Sequence, residues 1–435
     1  MKNAKRLVFS LGLVLLLSAC GSNAGQNNGS TTQPARQSKI SLVNPEDTSM
    51  LTANCKAYID AMREIRDAAQ DPYTYHEIDL NIEDSTKNFL DTGDVNGQNR
   101  TVSGQIPNRS DRSTGVELKF NVEEGFSADE YKVLVSKNAD FSDAKEYVAE
   151  NNSVVVKNLF VNTEYYWKVV AGDEESNAGE FTTGDYPRWI TARSETGVDD
   201  NRGIYNVRDM GGYMTDSGKR VKQGLVFRGG EITNMNGNGH YVTITDFSKN
   251  VFRNEMGMVG GVELDLRGSS DISDGYKACG FAENGDIEYV MHAIKSYEQT
   301  FTNTRSEVAP IFELLKNANN KPVYYHCFGG ADRTGTIGFL LNGLLGVSYE
   351  DLVIDFELTS YSSINNEHIR NHLDGHQHQY DRWPALINQL KTDTTGGYAY
   401  SATASLKDNI ENFLVKACSV PQATIDTIRD IMLED

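Results

Sequence analysis

Between about residue 100 and residue 184, apolar and polar residues alternate in short runs that turn residues separate. The clearest runs are residues 115–122, 131–136, 154–159 and 165–171. A period of two is typical of strands with one buried face, and short strands at regular spacing favour two packed sheets. We therefore predict an all-β sandwich over residues 101–185.

From about residue 186 the pattern changes, and short apolar runs alternate with segments of helical periodicity. The runs at residues 262–266 and 322–326 suit buried parallel strands. Strands that alternate with helices are typical of α/β domains. We predict that residues 186–435 form an α/β domain, in which helices flank a central, mostly parallel sheet.

The N-terminal hundred residues divide into three segments. Residues 1–19 combine a positively charged start with a short apolar run, which predicts an export signal rather than a membrane span. Residues 20–45 are mainly small and polar and predict a flexible tether. Residues 46–100 have no clear assignment, although residues 55–65 show helical spacing and predict a short helix.

The end of the export signal reads Leu-Ser-Ala and then Cys20. This order resembles a bacterial lipoprotein signal, which implies that Cys20 carries a lipid and becomes the mature N-terminus. The protein would then be extracytoplasmic and anchored to the cell membrane. The alternative is a plain secretory signal with an incidental cysteine.

The chain is acidic, with 41 Lys and Arg against 61 Asp and Glu and a net charge of −20. Removal of the signal segment would make the charge more negative, because that segment holds three basic residues. An acidic surface argues against nucleic acid as a partner.

The five cysteines have no metal-ligand spacing, so neither a zinc site nor a dense disulfide framework is indicated. We predict no metal and no cofactor, and interpret the group His372, His376 and His378 as solvated side chains. A reversible disulfide between Cys327 and either Cys279 or Cys418 stays open, as does the redox state of Cys55.

Residues 326–335 read His-Cys-Phe-Gly-Gly-Ala-Asp-Arg-Thr-Gly, between a predicted strand and a predicted helix. A small-residue loop that opens a helix directs backbone N–H groups and the positive helix end at one spot, which suits a dianionic phosphate. Cys327 at the start of the loop would be stabilised as a thiolate. Arg333 would bind the phosphate oxygens, with support from Thr334 and His326.

This run resembles the Cys-x5-Arg-[Ser/Thr] signature of protein tyrosine and dual-specificity phosphatases. Residues 206–213 and 218–231 are similar to the entrance segment of a bacterial tyrosine phosphatase family, and the likeness spans about 200–433. It implies hydrolysis of phosphotyrosine, with phosphoserine or phosphothreonine as further substrates, through a phosphocysteine. The implied phosphate-binding residues are Phe328, Gly329, Gly330, Ala331, Asp332 and Arg333.

Two positions depart from the family pattern. Ala331 stands where the family usually has a lysine, and Gly229 follows Arg228 where a serine is usual. The missing lysine counts against the alternative of a phosphoinositide or inositol-phosphate phosphatase. Residues 159–169 also resemble part of a fibronectin type III domain, so another alternative is an inactive surface-binding module.

The reaction also needs a general acid, and two aspartates compete for that role. Asp265 follows a predicted strand and resembles the acid proposed in the bacterial family, whereas Asp332 lies inside the loop, where myotubularin-like phosphatases place theirs. We favour Asp265 slightly. Arg208 and Asp209 are predicted to fix the entrance segment rather than to act in the chemistry.

Overall fold

The computed structural model describes residues 38–68, 113–192, 204–232, 244–268, 285–362 and 382–435. From Lys39 onward the chain forms one compact unit. Within the described ranges, no helix combines the length and the apolar character that a bilayer crossing requires.

Two antiparallel sheets form the N-terminal part. The first has the order β1 (Ile40–Val43), β2 (Val116–Val122) and β5 (Ser153–Val156). In the second, β3 (Lys132–Ser136) pairs with β4 (Lys145–Val148) and with β6 (Glu164–Ala171). Two further strands, β7 (Glu174–Glu175) and β8 (Gly179–Thr182), both pair with β6.

The two sheets pack face to face around one apolar core. On β2, Val116, Leu118 and Phe120 are buried while the residues between them are exposed. They share a cluster with Val133 of β3 and Trp167 of β6. The alternation in the sequence therefore corresponds to strands with one buried face, and the predicted sandwich strands are confirmed.

The first strand corrects the predicted tether. β1 lies inside the range 20–45, and Ile40 pairs opposite Val122 on β2. Its backbone hydrogen bonds complete the first sheet, so at least these four residues belong to a folded domain. The strand was missed because four residues are too few for a recognisable alternation.

The second part is built on a five-stranded sheet with the order β12-β11-β13-β10-β9. The strands are β9 (Arg208–Asp209), β10 (Val226–Gly229), β11 (Val262–Asp265), β12 (Glu288–Met291) and β13 (Val323–His326). All neighbours are parallel except β9, which runs antiparallel to β10. This confirms the predicted, mostly parallel sheet, with β13 at its centre.

Helices follow the strands and supply the apolar side chains that cover the sheet. They are α1 (Ala53–Ala68), α2 (Asp246–Asn250), α3 (Glu298–Asn303), α4 (Val308–Leu315), α5 (Asp332–Leu345), α6 (Tyr349–Leu358), α7 (Arg382–Thr392), α8 (Leu406–Asn412) and α9 (Gln422–Met432). Short π-helical turns at Val251–Glu255 and Phe413–Ala417 continue α2 and α8. In the described ranges, 3₁₀ turns occur at Arg305–Glu307, Thr359–Tyr361 and Thr395–Gly397.

Both faces of the sheet are buried. On β13, Val323 and Tyr325 belong to the large core that the helices α4 and α5 share, whereas Tyr324 belongs to a second core with Phe252. Strands buried on both faces carry continuous apolar runs, as the sequence shows here. The central strand is therefore fixed firmly at the point where the motif begins.

Helix α1 belongs to this α/β part, although it precedes most of the sandwich in the sequence. Its Tyr58, Ile59 and Met62 are buried in the large core, and the helix packs against α6. The chain thus passes from the sandwich at β1 to the α/β core at α1 and back to the sandwich at β2. The helix predicted at residues 55–65 is confirmed, and part of the range 46–100 now has a place.

Buried polar contacts join the two parts. Arg188 donates to the carbonyl oxygens of Leu159 (3.1 Å) and Asn158 (2.8 Å), and to Asp209 (2.7 Å). The Asn158 side chain accepts from the backbone N–H of Thr191 (2.7 Å) and donates to its carbonyl oxygen (3.2 Å). Because these groups are desolvated, they fix the loop of the sandwich on the α/β part.

Replacement of Asn158 by alanine is expected to lower the free energy of unfolding by about 2 kcal/mol, because it leaves buried backbone groups of Thr191 unpaired. Asn151→Ala is the matched control, since Asn151 shares the positive φ but is exposed. Denaturant unfolding measures both variants. Equal losses in the two variants would contradict a role of these hydrogen bonds.

Candidate active site

The motif lies at the carboxyl end of the central strand. β13 ends at His326, Cys327 follows directly, and α5 begins at Asp332. In the parallel register, Gly229 of β10 and Asp265 of β11 stand on either side of His326. Crevices at the carboxyl ends of parallel strands are common ligand sites, so the structure places the loop where a substrate can bind.

Donors outside the loop hold its carbonyl groups. His326 Nδ1 lies 3.0 Å from the Cys327 oxygen, and the Glu231 N–H donates to Phe328 at 3.0 Å. Asn206 Nδ2 donates to the carbonyl oxygens of both following glycines at 3.1 and 3.2 Å. Arg228 Nη2 also donates to the second of these oxygens, at 2.8 Å.

The hydrogen bonds to these carbonyl oxygens determine the direction of the backbone N–H groups. In a trans peptide, the C=O of one residue and the N–H of the next point in opposite directions. With the carbonyls of residues 327–330 held by the scaffold, the N–H groups of residues 328–331 are turned to the other side of the loop. These are four of the positions that the sequence predicted to bind phosphate.

Two glycines are required by close approaches of the backbone. Gly330 has φ +68°, and a Cβ there would lie 2.4 Å from the carbonyl carbon and oxygen of Gly229. A Cβ at Gly229 would lie 2.2 Å from Tyr324 Oη, which donates to the Gly230 carbonyl at 2.6 Å. The departure from the usual serine at Gly229 is therefore explained by the space that Tyr324 occupies.

Cys327 has the environment of a stabilised thiolate. Burial alone would raise the pKa of this thiol, but the charge of Arg333 and hydrogen bonds from Thr334 hold it below the ordinary value. The Thr334 hydroxyl is buried and has no other hydrogen-bond partner among the described residues. The side chain of Cys327 is only 3% exposed, whereas Arg333 at the start of α5 is half-buried.

A positively charged cluster supports the loop from below. Arg208 and Arg228 are fully buried and share the single carboxylate of Asp355, on α6. Arg208 also donates to Asn206, the residue that holds the loop carbonyls. Burial and the neighbouring Arg228 lower the pKa of Arg208 to about 10, so both guanidinium groups are charged at neutral pH.

Asp209 fixes the entrance segment, as predicted. Its carboxylate accepts from the backbone N–H groups of Gly211 (2.8 Å) and Gly224 (2.7 Å) and from Arg188 (2.7 Å). Arg208 contacts Asn206 and Asp355 rather than the motif's sulfur. The sequence did not show that Asn206 holds the loop, because the resemblance of residues 206–213 specifies no contacts. It also missed Asp355 as the partner of Arg208 and Arg228, because an Asp inside a helix carries no specific signal.

A second buried cluster surrounds Asp265. Arg267 donates to both carboxylate oxygens of Asp265 at 2.7–3.1 Å, and the Tyr289 hydroxyl donates at 3.1 Å. Arg267 also donates to Glu231 at 2.5 Å. Burial would raise the pKa of the Asp265 carboxyl, but the charges of His326 and Arg267 hold it below the usual range.

The slight preference for Asp265 as the general acid conflicts with this geometry. A general acid must hold a proton and reach the leaving group. Asp265 is fully buried, engaged at both oxygens by donors, and held ionised. Asp332, in contrast, is half-buried at the first turn of α5, and its charge acts on the Cys327 thiol.

His326 connects the second cluster to the loop. Its Nε2 lies 3.1 Å from Glu263 Oε1, and its Nδ1 lies 3.0 Å from the Cys327 carbonyl oxygen. Burial would lower the pKa of His326, but Asp265 and Glu263 raise it above its ordinary value. A protonated ring donates at both nitrogens, which is the bracing role that the sequence suggested.

Of the other cysteines and the grouped histidines considered in the sequence analysis, the structure describes only two cysteines. Cys55 and Cys418 are buried free thiols, and burial raises the pKa of each to about 12. Cys20, Cys279 and the group His372, His376 and His378 lie outside the described residues. In the part of the chain that the structure describes, no group of three or more His, Cys, Asp or Glu side chains could hold a metal ion.

Comparison with known families identifies the domain. A family model described as "Tyrosine phosphatase family" matches residues 200–246 and 262–434, just over half of the chain. The chain belongs to the tyrosine phosphatase family. The matched segments contain all strands of the mostly parallel sheet and the whole motif loop. No curated protein matches the chain.

The phosphatase is expected to react with iodoacetamide at Cys327 alone among the three described cysteines. Thiolate is the reactive form, so the alkylation rate rises with pH through the thiol pKa. The midpoint for Cys327 should lie below that of an ordinary thiol. Cys55 and Cys418 stay protonated at the pH of this midpoint. Mass mapping of the native protein measures the sites and the rates.

Arg333→Ala should move this midpoint to higher pH, because it removes the largest factor that lowers the Cys327 pKa. Arg333→Lys keeps the positive charge and should move the midpoint less. A midpoint that is the same in both variants and in the wild type would show that Arg333 does not stabilise the thiolate.

Proposed function

We propose that this protein hydrolyses phosphotyrosine in proteins or peptides through a phosphocysteine on Cys327, with phosphoserine and phosphothreonine as further substrates. The observation that carries the proposal is the lowered pKa of Cys327 beside Arg333, under a row of backbone N–H groups. Membership of the tyrosine phosphatase family supports phosphatase activity in general. The choice of phosphotyrosine goes beyond that support.

In the first step, the Cys327 sulfur attacks phosphorus in line with the leaving oxygen. The S–P bond forms as the P–O bond to the leaving group breaks. Negative charge on the three equatorial oxygens is met by Arg333 and by the N–H groups of residues 328–331. The buried Arg208 and Arg228 add positive charge below the loop, since Asp355 balances only one of them.

In the second step, water attacks phosphorus and the S–P bond breaks. Inorganic phosphate leaves, and Cys327 returns to the thiolate. The group that protonates the leaving oxygen in the first step takes a proton from this water in the second. The same loop donors bind the phosphoryl oxygens in both transition states.

We assign the acid and base role to Asp332. Its partial exposure, its place in the loop and its electrostatic effect on Cys327 support the assignment. Asp265 instead anchors Arg267 and the end of β11 through its hydrogen bonds. A carboxylate held by a guanidinium and a phenol is a poor proton donor.

Two alternatives stay open to experiment. A phosphoinositide or inositol-phosphate phosphatase would need cationic groups for additional phosphates, and Ala331 supplies none in the loop. An inactive binding module is disfavoured because Cys327, Asp332 and Arg333 are all present and the thiol is activated.

We further propose a fibronectin type III-like sandwich that serves as a rigid support. The Tyr165 hydroxyl accepts from the backbone N–H of Phe160 at 3.0 Å, which is similar to the tyrosine corner of such sandwiches. The contacts of Arg188 and Asn158 support the rigid placement. The lipid anchor at Cys20 and the extracytoplasmic location stay predictions from the sequence, since Cys20 lies outside the described residues.

Phosphate release from a substrate panel tests the function. Phosphotyrosine peptides should be hydrolysed much faster than phosphoserine peptides and inositol phosphates, and Cys327→Ser should abolish all of these activities. Activity on inositol phosphates alone would overturn the proposed substrate class. A wild type as inactive as Cys327→Ser would favour the binding module.

Asp332→Asn is expected to lower kcat/KM for phenyl phosphate by about 10²-fold, because a phenoxide leaving group needs the proton. The loss for 4-nitrophenyl phosphate should be much smaller, since that group leaves without protonation. Asp265→Asn should reduce both activities equally, through the anchored Arg267. A selective loss in Asp265→Asn, with none in Asp332→Asn, would reverse the assignment.

A further inference from the structure

Tyr297 has a backbone conformation that a tyrosine rarely adopts. Its φ is 50° and its ψ is −131°. The N–H of Gln299 donates to the carbonyl oxygen of Ser296 at 3.1 Å, so Tyr297 occupies the second position of a β-turn. A positive φ at that position of a primed turn is usually taken by glycine, asparagine or aspartate. Strain of this kind persists where the surrounding structure holds it, and it occurs often at functional sites.

Two hydrogen bonds join Tyr297 to the start of helix α5, and a third within the helix extends them to the Asp332 backbone. The Tyr297 hydroxyl donates to Asp332 Oδ1 at 2.5 Å. The Tyr297 backbone N–H donates to Thr336 Oγ1 at 3.0 Å, and that hydroxyl donates to the Asp332 carbonyl oxygen at 3.0 Å. Tyr297 thus holds both the side chain and, through Thr336, the backbone of Asp332.

The ring and the hydroxyl of Tyr297 have separate roles. The side chain is 3% exposed, and its ring packs edge-on against Phe356 with 6.3 Å between the ring centroids. A phenylalanine would make the same apolar contact. Only the hydroxyl reaches the carboxylate of Asp332, so this hydrogen bond distinguishes tyrosine from phenylalanine here.

We propose that Tyr297 is a positioning residue, which holds the Asp332 carboxyl in the orientation required for proton transfer. The proposal rests on the function of Asp332 proposed above. Because Oδ1 accepts from Tyr297, the acidic proton of Asp332 sits on Oδ2. That proton passes to the leaving oxygen as the P–O bond breaks, while the phenol of Tyr297 keeps its own proton throughout.

Tyr297→Phe tests this role with the pair of aryl phosphates. The variant should lower kcat/KM for phenyl phosphate by about tenfold, because a misplaced acid slows the step that needs the proton. Its kcat/KM for 4-nitrophenyl phosphate should stay within about threefold of the wild type, because that leaving group does not need the acid. A loss of the same size on both substrates would overturn the proposal.

Tyr398→Phe is the matched control. Tyr398 is a buried tyrosine of the same α/β part, and its hydroxyl donates to the Leu390 carbonyl oxygen at 3.0 Å. Removal of this hydroxyl should affect the two substrates equally. A substrate-selective loss in Tyr398→Phe would show that any lost buried hydroxyl produces the effect, and would overturn the role of Tyr297.

The double variant Tyr297→Phe/Asp332→Asn separates this inference from the proposed function. If Tyr297 acts through Asp332, the double variant should be no slower on phenyl phosphate than Asp332→Asn alone. Additive losses would overturn the inference and leave the role of Asp332 intact. No selective loss in Asp332→Asn itself would overturn both.

Thr336→Val provides the test if Tyr297→Phe does not fold. Valine keeps the volume of the buried Thr336 but removes the hydroxyl that accepts from the Tyr297 N–H and donates to the Asp332 carbonyl. A weaker but still selective loss on phenyl phosphate is expected. Equal kcat/KM ratios for the two substrates in Thr336→Val and the wild type would then overturn the inference.

Discussion

The rest of the site depends on the hydrogen bonds that hold the four carbonyl groups of residues 327–330 on the outer side of the loop. A short loop of small residues has no internal reason to expose its amides in one direction. Donors from Asn206, Arg228, Glu231 and His326 bind its carbonyl oxygens and so orient its amides. Because the peptide is planar and trans, holding the oxygens outside turns the following N–H groups inward. Inward N–H groups of this kind suit the binding of an anion.

Two of these donors, Arg228 and His326, are buried side chains that bind carboxylates. Asp355 binds Arg208 and Arg228, while Arg267 binds Asp265 and Glu231, and Glu263 binds His326. Loss of one partner in such a cluster leaves an uncompensated buried charge. These clusters therefore keep the loop rigid. Asp332 differs because its charge acts on the Cys327 thiol and its carboxylate accepts from the Tyr297 hydroxyl.

Contacts from both the sandwich and the α/β part hold the motif loop in place. Arg188 binds the sandwich loop with one edge of its guanidinium and Asp209 with another. Asp209 lies next to Arg208 on the edge strand β9, close to Asn206, whose amide holds the loop. A series of buried polar contacts thus connects the sandwich to the motif loop. Helix α1 adds a second connection, because it is buried in the α/β core.

The sequence by itself determined the features that depend on neighbouring residues. Alternation identified the sandwich strands, and continuous apolar runs identified β11 and β13. The run from His326 to Gly335 gave the proposed nucleophile Cys327 and the proposed phosphate-binding Arg333. Only the tertiary structure decided which partners bind Asp265 and Asp332, why position 229 is glycine, and which part of the fold contains β1 and α1. These features depend on contacts between segments far apart in the chain. Asp265 follows a strand and Asp332 lies inside the loop, but neither position shows in the sequence that an arginine binds the first and a tyrosine hydroxyl the second.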